Sequence, residues 1–162
     1  MGSSPDRGGS VPYSIEVATA ADEWLLPALA RLLPQLSSAS PPDRAELEQI
    51  LGSDCSTVFV ATERAPSRAG GEDDPVVLGT LTLVAFRLPT GVRAWIEDVV
   101  VDGDERGRGI GKALVGAAVE AAREAGARTV ELTSRPSRQA ANKLYAGLGF
   151  ERRETNVYRL NL

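Results

Sequence analysis

The sequence predicts a mixed α/β protein, a single sheet with helices over its faces. Three observations carry this. Val-rich runs of strand length alternate with amphipathic stretches of helical period, in the order βααβββαβαββ. No stretch repeats another. With 162 residues, 43% of them hydrophobic and 25% charged, the composition is globular and one domain accounts for the chain. At that length roughly 70% of the unfolded chain's surface is buried without staples.

Residues 1–12 are rich in Gly, Ser and Pro and are expected to form a disordered arm, leaving residues 13–162 as one domain. Tyr13 to Ala18 alternates as a short strand. Over residues 21–33, Trp24, Leu25, Ala28, Leu29 and Leu32 recur at helical spacing. A second helix is expected from Pro42 to Leu51, with Leu47, Ile50 and Leu51 as its apolar edge. Ser56 to Thr62 reads as a strand around Val58, Phe59 and Val60. Residues 65–75, APSRAGGEDDP, are dense in turn residues and predict a mobile hairpin loop. Val76–Leu88 and Val92–Val101 form paired strands across Pro89-Thr90-Gly91. A helix follows from Gly109 to Ala125, with Leu114, Ala117, Ala118 and Ala121 on one face and Gly126 closing it. Thr129–Thr133 is a strand and Ser137–Ala146 a helix. Glu151–Arg153 and Val157–Leu160 are expected as a final pair of strands.

Counts exclude several chemistries. There is no histidine, so no Ser-His-Asp or Cys-His machinery. One cysteine, Cys55, allows no internal disulfide, and without histidine it makes a zinc site unexpected. Cys55 is expected to be a packing residue rather than a nucleophile. A net charge of −4 gives no footprint for nucleic acid, so no nucleic-acid partner is expected. No apolar run approaches a membrane span, and no membrane partner or metal is expected. A reduced cytoplasm is the expected compartment.

The segment Arg106-Gly107-Arg108-Gly109-Ile110-Gly111-Lys112 lies between a Val-rich strand and an amphipathic helix. A helix N-terminus presents unpaired N–H groups and positive dipole density, and glycines let an anion approach the backbone. The expected guest is a phosphate or pyrophosphate. A P-loop reading fails, because Arg106 stands where its first glycine belongs and Ala113 where its hydroxyl belongs. A dinucleotide fingerprint from Gly107 and Gly109 puts Lys112 at the third glycine. The pattern [R/Q]-x-x-G-x-[G/A] is met by Arg106, Gly109 and Gly111.

The stretch IEDVVVDGDERGRGIGKALV resembles the pyrophosphate motif and preceding strand of the GNAT acetyltransferase superfamily, and AANKLYAGLGF resembles its closing helix-and-strand motif. The resemblance covers roughly residues 13–162. It implies the acyl-CoA N-acyltransferase fold, with a mixed, mostly antiparallel central sheet and helices on both faces. It also implies acetyl-CoA as cosubstrate and an amine as acceptor. By resemblance, the coenzyme arm meets the main chain of Val99, Val100 and Val101, with the Val99 N–H facing the thioester oxygen. The pyrophosphate takes the N–H groups around Arg106, Gly107, Arg108, Gly109, Ile110, Gly111 and Lys112.

Glu97 and Asp98 interrupt an otherwise apolar strand, where a carboxylate is costly unless paired or facing a cleft. Strict alternation puts Glu97 with Trp95, Val99 and Val101, and Asp98 with Ile96 and Val100; a bulge breaks that parity. The resemblance makes Glu97 the base, with Asp98 in reserve or water in its place. It makes Tyr145 the acid that protonates the leaving thiolate. Where many relatives carry Asn, seven residues before that tyrosine, this chain has Arg138. Asn142 lies on the same helix in another register and is a further expected coenzyme contact. Residues 21–33, 42–51 and 65–75 fall where relatives bind the acceptor. Asp43, Glu46 and Glu48 there either favour a cationic substrate or are solvated helix-face charges. The acceptor's identity and a homodimer are left open, as are a longer acyl donor and a coenzyme-binding module without turnover.

Overall fold

A computed structural model of the chain describes residues 13–65 and 74–162. The expected N-terminal arm and most of the 65–75 loop lie outside the described residues. The described chain divides into two units, one ending at Leu132 and one spanning Thr133–Leu162.

The first unit is a five-stranded sheet in sequential order: β1 (Ser14–Ala18), β2 (Ser56–Ala65), β3 (Asp74–Leu88), β4 (Gly91–Val101) and β5 (Ala127–Glu131). The pairs from β1 to β4 are antiparallel, whereas β5 runs parallel to β4. That last pairing needs a crossover, which α3 (Ile110–Glu124) supplies. The sheet is therefore mixed and mostly antiparallel, as the sequence predicts.

The strand patterns sort the two faces. Val58, Val60 and Val77 join Leu25, Leu29 and Leu32 of α1 (Leu25–Leu32) and Leu47 of α2 (Arg44–Leu51) in one buried cluster. Phe59 and Ala61 alternate to the other face, where α3 lies. The Cβ position of Gly79, Ala61's ladder partner, is 3.3 Å from Leu114 Cδ1. The buried stripe of α3 is Ile110, Leu114, Val115, Ala118 and Ala122. Ala117 and Ala121, expected on that face, flank it instead, because Ile110 and Val115 bring larger apolar surface and rotate the stripe towards themselves.

The second helix starts with a capping box. Asp43 Oδ1 accepts from Glu46 N at 2.9 Å, and Glu46 Oε2 accepts from Asp43 N at 2.9 Å. Arg44 Nε donates to Glu48 at 3.1 Å. These carboxylates shape the helix and are not simply solvated charges. Cys55 is exposed rather than packed, correcting the expectation for it; its carbonyl accepts from Ala85 N at 2.8 Å in the ladder.

The second unit holds α4 (Gln139–Gly147). The expected strands at 151–153 and 157–160 are absent; residues 151–162 form no strand. Glu151-Arg152-Arg153 has no apolar side chain to seat on a sheet, and Val157, Tyr158 and Leu160 are 75%, 89% and 84% exposed. Runs this short hold as strands only where a ladder partner and a buried face support them.

Candidate active site

The last pairing of β4 with β5 is Trp95 with Glu131, so Ile96–Val101 have no strand on that edge. On the opposite edge, Asp102 N donates to Leu78 O at 2.8 Å. Main-chain groups alternate in direction along a strand, so Val101, next to Asp102, turns away from β3, toward the open edge. An extended chain with amide groups can add there as a strand would.

The same stretch carries a bulge. Thr80 pairs with Val100 and Thr82 with Glu97, so Leu81 alone faces Asp98 and Val99. Asp98 has φ 50°, the only positive φ outside glycine among the described residues. The bulge separates residues that strict alternation would place together: Ile96 stays on the α3 face, while Val100 joins the cluster under α1 and α2. Glu97 thereby shares a face with Thr82 and Val58 across the ladder. Its Oε1 accepts from Trp95 Nε1 at 2.5 Å, which fixes the carboxylate. Trp95 was not foreseen in that role, although W-x-E on one strand face was the available signal.

Asp98, with Thr80 and Thr82, borders the sheet side of a cavity of about 630 Å³ whose other walls come from α1, α2 and the segment between them; Glu97 is not in its lining. Glu46 lines it while serving the capping box; Asp43 and Glu48 do not.

Beyond β4, a 3-10 turn at Gly103–Glu105 leads into the Gly-rich segment. Gly107 and Gly109 have φ 82° and 81°, the left-handed region that glycine enters without steric penalty. A Cβ on Gly107 would meet no atom within 4 Å, so the backbone there is open to an approaching group. Gly109 caps α3 and leaves its first-turn N–H groups unpaired. Arg106 and Lys112 are exposed and make no ion pair among the described residues. The Arg108 guanidinium is held by Glu105 and by Glu63, the latter at 3.1 Å, and its pKa is raised by those partners, which leaves the expected main-chain role of Arg108 untouched. Its side chain braces the turn, and its carbonyl accepts from Tyr13 Oη at 3.3 Å.

A clamp that sequence reading missed fixes the approach to this turn. Asp102 pairs with Arg31 of α1, Arg31 Nη2 donates to Val77 O at 2.6 Å, and Gly103 N donates to Gln35 Oε1 at 2.9 Å. Partners 68 residues apart in sequence leave no local signal.

In the second unit, Tyr145 is half-buried, with its ring edge-on to Phe150 at 5.9 Å between centroids. Burial pushes the phenol above its usual pKa, partly opposed by the charge of Arg138. The hydroxyl is therefore protonated at neutral pH. Asn142 Nδ2 donates to Arg135 O at 3.0 Å, so that side-chain amide ties down the entry to α4.

With this geometry in view, comparison with known proteins gives the class. The acetyltransferase (GNAT) family profile matches residues 28–150. The chain belongs to the GNAT acetyltransferase family. An uncharacterized N-acetyltransferase of Methanocaldococcus jannaschii is 46% identical over 61 residues, 38% of this chain and 27% of that protein. The match thus spans about a quarter of the relative's length. An acetyltransferase of Trypanosoma brucei superposes with TM-score 0.71 at 28% identity, covering 93% of this chain and 99% of its own. An aminoglycoside acetyltransferase from an uncultured soil metagenomic sample gives TM-score 0.71 at 23% identity, covering 93% and 97%, which is a likeness of fold. No described helix is long and apolar enough to cross a membrane.

Proposed function

We propose that the chain transfers the acetyl group of acetyl-CoA to a primary amine of a small molecule or peptide by direct attack. The observation that carries this is the unpaired edge of β4 from Ile96 to Val101, running into a glycine turn at the head of α3. An extended amide-bearing arm fits the first and a pyrophosphate the second. The family match spans both units, which supports residues 13–162 acting as one domain.

Val99 and Val101 would pair with the coenzyme's amides, and the Val99 N–H would face the thioester oxygen as negative charge develops on it. The amine nitrogen bonds to the acetyl carbon as the carbon–sulfur bond breaks. Glu97 takes the proton lost by the amine, directly or through water, and its bond from Trp95 keeps it oriented. Tyr145, which holds its proton at neutral pH, gives it to the leaving sulfur.

The test is incubation with acetyl-CoA and a panel of amines, following free thiol and acetylated amine together. Equal amounts of both are expected. Coenzyme binding with no thiol released from any amine would replace this reading with a binding module.

A further inference from the structure

The cavity beside β4 has a chemical character of its own. Leu33, Leu36, Leu47 and Ile50 supply apolar wall, and its outer polar groups are mainly serine hydroxyls. Its two carboxylates are unequal. Glu46 is held by the Asp43 N–H in the capping box, whereas Asp98 has no hydrogen bond or ion pair recorded among the described residues. Asp98 sits in the bulge, next to the open edge of β4. A guest with several ammonium groups would need an acceptor for each as it leaves water, and Asp98 is the one lining carboxylate on the sheet side, beside the open edge of β4. An aliphatic body, by contrast, gains from every apolar contact. The volume of about 630 Å³ lies in the range of small-molecule sites.

We propose that the acceptor is a primary monoamine bearing an aliphatic or arylalkyl body, its nitrogen drawn to Asp98 and its body laid against Leu33, Leu36 and Ile50. This rests on the acetyl-transfer reading above and assigns the substrate class of that same site. Ile50 is 37% exposed, and a bound apolar body would cover it.

The experiment compares kcat/KM for ethylamine, butylamine, hexylamine and phenethylamine with spermidine and an aminoglycoside. Each added methylene is expected to raise kcat/KM by about two- to fourfold, and hexylamine to exceed spermidine at least tenfold. Ile50→Ser should raise KM for hexylamine about tenfold, with acetyl-CoA affinity unchanged. A flat chain-length series, or preference for the polycations, overturns the proposal and leaves acetyl transfer standing. If no amine releases thiol, calorimetric binding of the same series to the CoA-saturated protein decides the question. Affinity rising with chain length supports an apolar amine site, and no binding overturns it.

Discussion

Gly107→Ala tests whether the turn before α3 is built as described. Gly107 has φ 82°, and an added Cβ would meet nothing within 4 Å, so neighbouring atoms contribute no clash. The whole penalty is the left-handed backbone, about 1–2 kcal/mol for an L-residue. For a chain of this size that lowers Tm by roughly 2–8 °C. Gly107→Asn should lose much less, because asparagine visits this region more readily. Gly116, inside α3, is the control. It also has open space at its Cβ but no positive φ, so Gly116→Ala should stabilise by about 0.5–1 kcal/mol. Thermal melts by circular dichroism on the three variants read the effect. If Gly107→Ala stabilises as Gly116→Ala does, the turn does not have this conformation and its N–H groups do not point as described.

Tyr145→Phe keeps the ring edge on Phe150, so fold and coenzyme affinity should barely change while turnover falls about 10²–10⁴-fold with a competent acceptor; parent-rate turnover would remove the tyrosine from the chemistry. Because burial raises this phenol's pKa, the folded state holds the proton more tightly. The alkaline limb from Tyr145 should lie above about pH 10, with the associated stability present below that pH and lost as pH climbs through the raised value. Glu97→Gln should reduce turnover by about 10²-fold or more and alter the acidic limb, with coenzyme binding kept; if Asp98→Asn does this instead, the base is Asp98. Gly79→Ala would set its Cβ 2.8 Å from the Val100 carbonyl, so backbone must move, and a melt should show a loss of about 1–3 kcal/mol.

The elements readable in the sequence are those with dense local signals. Val58 to Val60 alternate between faces, Leu25 to Leu32 repeat at helical spacing, and Gly126 ends α3 at φ 77° as its position suggests. The glycine turn was legible because glycine at 107 and 109 answers a backbone demand that other residues meet poorly. What failed was non-local. Whether 151–160 pairs into strands depends on a partner edge, which its own residues do not specify. The parity of β4 depends on a bulge at Asp98 that alternation alone would not place. The partner of the Arg108 side chain, Glu63, lies 45 residues earlier and leaves no local signal. The base candidate was legible as a charge within an apolar strand, but the indole that orients it was not.

The central claim is that the head of α3 and the turn before it take the coenzyme's pyrophosphate. Gly111→Val addresses it most directly, because Gly111 is a helical residue with no positive φ and valine is the better helix former there. The fold should therefore remain intact, as a melt would verify, while the side chain obstructs approach to the first-turn N–H groups. Calorimetric titration of acetyl-CoA should give one saturable site in the parent and an affinity at least about tenfold weaker in the variant, a difference of about 1.4 kcal/mol. Equal affinity in the two proteins, or no binding to the parent, would contradict the account.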